Sequence, residues 1–375
     1  MTEPVLFEEI PSDNGMIVVK ITLNVEKTLN SLSLEMIDLI TPRLQAWQED
    51  EQVAVIVFLG AGDRAFCAGG DIQDLYQSMV DHPGGPNPFA EAFFQREYAL
   101  DYMIHTSNKP ILVWGHGVVM GGGLGIFGGC SHRVCTEKSR IALPEITIGL
   151  FPDAGASNFL KQMPRHLAYF MALTGCQVNG NDAILVGLAD HLVTNDKKDR
   201  VVDSLAREAW TGNLHENTVL LTNLLDSYSS TAEFPAGQLM AHSDAIEAAV
   251  AGCADGNFIK DFDAGLISIA ADDWFSRAIQ NFRSGCPTTA QIIVEQLKRI
   301  SQMTLAEMFA MELTIAIQCT RHPDFAEGIR ALLIDKDNNP AWRYPKMGSV
   351  PEAWIAEHFE VPGETPDLLD LIRRE

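Results

Sequence analysis

The stretch that most constrains this chain is 53–59, VAVIVFL, an unbroken apolar run bounded by polar residues before it and by Gly60 after it. It is too short for a buried helix and rich in β-branched residues. A strand apolar at both alternating positions has to be covered on both faces, as in a parallel sheet flanked by helices. Similar short runs follow the same rule: 16–23 (MIVVKITL), 111–114 after Pro110, and 132–136 (HRVCT). After the first of these comes a turn-like segment, 24–30. Helical spacing then sets in over 34–49, with Met36, Ile37, Ile40, Leu44 and Trp47 on one face and Ser33 as N-cap. Pro42 inside that stretch marks a kink or a break. Strand, helix, strand in repeated order makes this an α/β chain.

Beyond residue 200 the apolar spacing is helical, over 201–210, 215–226, 244–251, 273–285, 288–299, 305–320 and 323–333. The chain's 375 residues suit one large domain or two ordinary ones. The division expected is an α/β core over 1–200 and a helical C-terminal region over 201–375 packed on it. Internal repeats, low-complexity tracts and long Pro/Gly/Ser linkers are absent from the sequence.

A formal net charge of −23 repels phosphate backbones and anionic lipid at long range, so nucleic-acid and membrane-surface binding are disfavoured. A small anionic ligand is compatible with it, because backbone amides and a few local cations suffice to hold one. No apolar window is long enough to span a bilayer. The opening MTEPVLFEEIPSDNGM carries neither the basic nor the apolar part of a secretory signal. Seven scattered cysteines fit reduced thiols better than a disulfide framework, and a cytoplasmic location is expected.

Three segments carry candidate chemistry. Residues 65–71, AFCAGGD, follow a strand and precede an apolar-periodic stretch; small residues there let a ligand reach main-chain amides, or simply make a tight turn. Residues 115–129 contain three consecutive glycines, Gly121–Gly123, in a run that is not a phosphate loop, since no Lys-Ser/Thr follows. Residues 142–156, ALPEITIGLFPDAGA, place Glu145 and Asp153 in an otherwise apolar stretch. A desolvated carboxylate has its pKa raised and can move protons; a helix cap or salt bridge is the structural reading of the same residues. The histidines and cysteines show no metal-ligand spacing, and no metal or separate cofactor is expected. His116, His132 and Cys67 are read as packing or loop residues.

Together these segments resemble the crotonase superfamily, the enoyl-CoA hydratase/isomerase family. The matching residues are 30–34, 66–72, Gly121–Gly123, 144–155, and 324–337 (DFAEGIRALLIDKD) with Asn339-Pro340-Ala341-Trp342. The likeness covers about residues 14–345. It implies a spiral of β-β-α units with terminal helices over an acyl-CoA site. Hydratases of the family carry one glutamate just after the triple-glycine loop, where this chain has Gly125, and a second that corresponds to Glu145. Glu145, Asp153, the FFQREYALDY segment with Glu97 and the long tail are similar to the family's 3-hydroxyisobutyryl-CoA hydrolase branch. That resemblance implies oxyanion donors at the amides of Gly70 and Gly122, and Glu145 as base or nucleophile. It also implies Glu97 near the substrate hydroxyl, and Asp153 either bonding that hydroxyl or assisting the proton transfer. Lys27 near the first motif and Lys336 in the tail are candidate cations for the CoA phosphates, each also readable as a solvated surface lysine. CoA would enter as part of the substrate, and the chain could self-associate. The readings still open are a hydrolase acting in valine breakdown, a hydratase or isomerase of the same fold, and a catalytically silent scaffold.

Overall fold

The computed structural model describes residues 3–363 apart from 255, 268, 270 and 271. Among the described residues the strands are β1 (Val5–Pro11), β2 (Ile17–Leu23), β3 (Val53–Gly60), β4 (Ala65–Cys67), β5 (Ile111–Gly115), β6 (Val118–Met120), β7 (His132–Cys135), β8 (Arg140–Ala142) and β9 (His191–Leu192). They form a six-stranded sheet in the order β1-β2-β3-β5-β7-β9 and a three-stranded sheet in the order β4-β6-β8. In the large sheet the hairpin β1–β2 is antiparallel and every later pair is parallel. Every residue of β3 is buried, as its unbroken apolar sequence requires.

The order along the chain is a repeated β-β-α unit. Strands β3 and β4 lead to the helix Ile72–Asp81, β5 and β6 to the helix Gly122–Gly129, and β7 and β8 to the short 3-10 helix Pro144–Thr147. In each pair the first strand belongs to the large sheet and the second to the small one. This is the α/β crotonase architecture. After Leu192 the described residues contain helices and loops.

The chain divides into two compact units that interleave in sequence. One comprises Met1–Gly70, Leu100–Ile141 and Val178–Gly237; the other comprises Asp71–Ala99, Ala142–Gln177 and Gln238–Glu375. In the first, Val55, Val57, Leu112, Trp114 and Val134 of the large sheet pack with Val201, Leu205, Trp210, Leu221 and Leu225. The Trp210 indole N–H donates to Leu205 O at 2.7 Å, so its polar edge is satisfied inside that core. In the second unit the helix Arg165–Thr174 is buried from Leu167 to Thr174, and Phe170 stacks on Phe275 with ring centroids 5.4 Å apart.

The helix Leu34–Glu49 begins at Ser33, whose hydroxyl accepts the Met36 N–H at 3.2 Å. It runs on through Pro42 without a break, held by the burial of Met36, Ile37, Ile40, Leu44 and Trp47. Packing of one face outweighs the missing backbone donor there. Among the helices that went unread in the sequence are Pro88–His105, Ala156–Gln162, Arg165–Thr174 and Gly180–Leu185 in the first 200 residues, and Phe258–Ile267 and Glu352–His358 after them. The expected helix over 323–333 is an α-helix, Pro323–Ile329, that widens into a π-turn, Arg330–Ile334.

Asn30 fixes the turn before that first helix. It sits at φ +56°, where asparagine is tolerated better than most residues. Its side chain donates to Ala61 O and Ala65 O, each at 3.0 Å, and accepts the Val25 N–H at 2.9 Å. Asn30→Ala would leave these groups unpaired in a site where Asn30 is 1% exposed. Urea denaturation is expected to show a loss of at least about 2 kcal/mol, from unsatisfied polar groups and the left-handed backbone together.

Candidate active site

The two glycine segments meet inside the first unit. The Leu32 N–H donates to Gly69 O at 2.8 Å, and Leu32 and Gly70 form a parallel bridge. The Gly70 N–H takes no part in that bond. Gly121 follows β6 at φ +48°, and a Cβ built on it would lie 3.1 Å from the Gly69 Cα and 3.8 Å from the Gly70 N. The two loops are therefore in backbone contact, and a side chain at Gly121 would push them apart. Gly121 is the N-cap of the helix Gly122–Gly129, so Gly122 occupies the first turn, where an N–H has no intrahelical acceptor. Gly125 is buried inside that helix. The Cys67 thiol is buried and donates to Gly69 O at 3.6 Å, a packing role.

The acidic residues gather inside the second unit. Glu145 lies in the 3-10 helix Pro144–Thr147, started by Pro144 and closed by the Ile148 and Leu150 N–H groups on Glu145 O. Its side chain is 3% exposed, and its Oε2 has no hydrogen-bond partner. The helix Pro323–Ile329 comes close to the loop that follows. At Gly328 a Cβ would fall 2.2 Å from Ile148 O, which accounts for the glycine of the Glu-Gly pair in the tail segment.

Asp153 precedes a turn in which Ala154 and Gly155 both have positive φ, +54° and +83°. Its Oδ2 accepts the Tyr98 hydroxyl at 2.5 Å. Tyr98 and Glu97 stand next to each other on the helix Pro88–His105, both buried. Tyr98 packs against Phe94 and Phe309, with ring centroids 5.8 Å and 6.3 Å away. A further carboxylate, Glu312, enters from the helix Leu305–Arg321 and is fully buried.

Burial sets the proton affinity of this group. Desolvation, and then the charge of Asp153, holds both Glu145 and Glu97 well above the ordinary carboxylate range. Burial raises Asp153 to about 7 against the opposing effect of the Tyr98 hydrogen bond. Glu312 is also pushed up to about 7 by burial, opposed by its hydrogen bonds to Ser157 and Gly155. Burial, followed by the charges of Asp153, Glu312 and Glu97, raises the Tyr98 phenol, which stays a proton donor. Such a cluster can hold and release protons near neutrality, as proton-transfer chemistry on an acyl group requires.

Of the residues singled out in the sequence, the structure brings Glu97, Glu145 and Asp153 into one electrostatically coupled group. Gly70 and the triple glycine meet within the first unit. Lys27 lies exposed in the short 3-10 helix Glu26–Thr28, and Lys336 lies exposed at φ +57° beside the Arg330 ion-pair network. His116 bonds Gly62 O at 2.8 Å and His132 bonds Ser131 and Thr222, both with pKa lowered by burial, as structural histidines. Tyr98, Gln296 and Glu312 were not singled out as site residues in the sequence. For Glu312 a signal exists: it falls on the buried stripe of its helix, with Met308, Ile315 and Ala316. Among the described residues, no group of three or more His, Cys, Asp or Glu could hold a metal ion.

The family profile described as Enoyl-CoA hydratase/isomerase matches residues 18–359. This chain belongs to that family. It is 34% identical to the human mitochondrial 3-hydroxyisobutyryl-CoA hydrolase, over 92% of this chain and 86% of that protein. The hydrolase of the same name from Dictyostelium discoideum is 31% identical, over 98% of this chain and 94% of the relative. Among solved structures, an enoyl-CoA hydratase from Rhodobacter sphaeroides 2.4.1 superposes with a TM-score of 0.83 at 28% identity, covering 97% of this chain and 99% of that one. A carnitinyl-CoA dehydratase from Mycobacterium thermoresistibile gives 0.84 at 30% identity, covering 98% of each. The crotonase family thus accounts for nearly the whole chain, helical C-terminal region included.

The acid cluster ties stability to pH. A carboxyl raised from 3.8 to about 7 on folding stabilises the fold fully when protonated, and that contribution fades as pH rises through the folded value. The wild-type melting temperature should fall as pH rises between about 4, the unfolded carboxylate value, and about 7, the folded value of Asp153 and Glu312. Asp153→Asn, which cannot ionise and still accepts from Tyr98, should fall less over the same range. Parallel thermal melts of the two proteins check this; equal falls would mean that Asp153 ionises normally.

Proposed function

We propose that this crotonase-family chain is an acyl-CoA thioester hydrolase, with 3-hydroxyisobutyryl-CoA as its substrate. The observation that carries the reading is Glu145, a buried carboxyl with an unpaired oxygen and a raised pKa, with a glycine at position 125. One family carboxylate is present, and the second one that hydration uses is replaced. The hydrolases to which the chain is 31–34% identical over more than nine-tenths of its length support the same choice.

In this reading the thioester oxygen lies on the N–H groups of Gly70 and Gly122. Glu145 either takes a proton from water as the water oxygen bonds to the carbonyl carbon, or attacks that carbon itself and is released by water. The tetrahedral oxyanion then collapses, the C–S bond breaks, and the CoA sulfur leaves as thiolate and is protonated. Two amide donors at the oxyanion matter because the loss of one such donor costs about 10²–10³ in rate. Asp153 and Glu97 hold the 3-hydroxyl of the acyl group. Lys27 and Lys336 meet the CoA phosphates, offsetting locally the chain's negative charge. CoA arrives as part of the substrate, and no other cofactor takes part.

A second reading, an enoyl-CoA hydratase, draws on the solved hydratase and dehydratase of matching fold. The two separate in one assay. Incubation with 3-hydroxyisobutyryl-CoA and a thiol reagent should show free CoA, whereas a hydratase changes enoyl absorbance without releasing it. Glu145→Gln is expected to bind CoA normally and to lose at least about 10² in kcat, the usual minimum for a positioned acid–base group. Turnover near wild type in that variant would take Glu145 out of the mechanism.

A further inference from the structure

Asp153 is held in place by an uncommon arrangement. The two residues after it have left-handed backbone, and Ala154 pays the steric cost of a side chain at φ +54°, about 1–2 kcal/mol. Something has to hold that turn. The Ala156 N–H closes it locally on Asp153 O at 3.0 Å. The remaining ties come from two helices far along the chain. Glu312, on the helix Leu305–Arg321, accepts the Gly155 N–H on Oε2 and the Ser157 N–H on Oε1, each at 2.7 Å. Gln296, on the helix Pro287–Arg299, donates to Pro152 O at 2.8 Å and to the Ser157 hydroxyl at 3.0 Å. Both side chains are 0% exposed.

The Glu312 carboxylate thus spans the turn, one oxygen on each of two amides, with the short distances of charge-assisted bonds. An apolar residue would fill the same space on the inner stripe of the helix more cheaply, since burying a carboxyl costs free energy unless its oxygens are satisfied. A carboxylate at this point is explained by what it holds. Gln296 ties the other side of the turn, the carbonyl just before Asp153, and uses only its N–H₂; its Oε1 has no partner. The turn is gripped on both sides of the residue that meets the substrate hydroxyl.

We infer that Glu312 is a positioning residue for substrate choice: with Gln296 it clamps the Pro152–Ser157 backbone so that Asp153 is presented to the 3-hydroxyl of the acyl group. The inference rests on the hydrolase reading and extends it to two residues that touch no substrate atom. It separates the roles of the acids. Glu145 acts on the thioester of any acyl-CoA, while Asp153, Glu312 and Gln296 act on the hydroxyl. A site built to pair a hydroxyl discriminates strongly against the analogue that lacks it, and displacement of about 1 Å is enough to lose much of that.

The test compares kcat/KM for 3-hydroxyisobutyryl-CoA and isobutyryl-CoA in wild type, Glu312→Gln and Gln296→Leu. In Glu312→Gln one oxygen becomes an N–H₂ facing a backbone N–H, so one of the two bonds is lost with no change in size. Gln296→Leu removes two donor bonds, those to Pro152 O and the Ser157 hydroxyl, and it carries the test if Glu312→Gln does not fold. The expected result is a loss on the hydroxylated substrate at least about tenfold greater than on isobutyryl-CoA, with inhibition by free CoA unchanged. A purely structural role would lower both substrates alike; that outcome, or an unchanged ratio, overturns the inference while leaving the hydrolase reading in place. A wild type that releases CoA from neither substrate overturns the hydrolase reading itself, and the inference with it.

Discussion

The interaction on which the rest depends is the desolvation of carboxyl groups in the second unit. Glu97, Glu145, Asp153 and Glu312 are all buried, and each has its proton held more tightly than in water. Four such groups would repel one another if all were ionised. They coexist because protonation removes charge and because Asp153 and Glu312 have donors: Tyr98 for the first, two backbone amides for the second. Glu145 is the exception. Its buried Oε2 has no hydrogen-bond partner.

The glycine loops of the first unit follow a different physical logic. They offer amides, and amides are available only where neither a side chain nor a neighbouring strand covers them. The chain meets this requirement by stopping β4 after Cys67, bridging Gly70 to Leu32 through the preceding carbonyl, and starting a helix at Gly122. Glycine is costly in such places, and Asn30 offsets part of that by locking the adjoining turn with three side-chain hydrogen bonds. The glycine loops and the acids are thus built from opposite materials: bare backbone in one unit, buried side chains in the other.

Much of this was legible before any coordinates. The run VAVIVFL required a strand covered on both faces, and β3 is fully buried. Glu145 and Asp153 stood out because carboxylates are rare inside apolar segments, and their motif order pointed to one family. What the sequence hid were relations across long separations. Glu312 sits on an apolar stripe that could have flagged it, but nothing local to it tells that its partners are the amides of Gly155 and Ser157. Tyr98 reads as one more core aromatic until its hydroxyl is found on Asp153. Pro42 misled for the same reason, since the burial that carries its helix through is tertiary. The helix Phe258–Ile267 was legible in principle, since Phe258, Ile259, Phe262 and Leu266 recur at helical spacing, but it went unread.

The central claim is that burial raises the proton affinity of Glu145 well above that of an ordinary carboxylate, so that its ionised form takes a proton from water more readily. Infrared difference spectroscopy separates the C=O stretch of a protonated carboxyl from that of a carboxylate, residue by residue when a variant is subtracted. The spectrum of wild type minus Glu145→Gln should retain a protonated-carboxyl band well above pH 4.5, the ordinary value for a glutamate. Loss of that band by about pH 5, the behaviour of a solvated glutamate, would contradict the account.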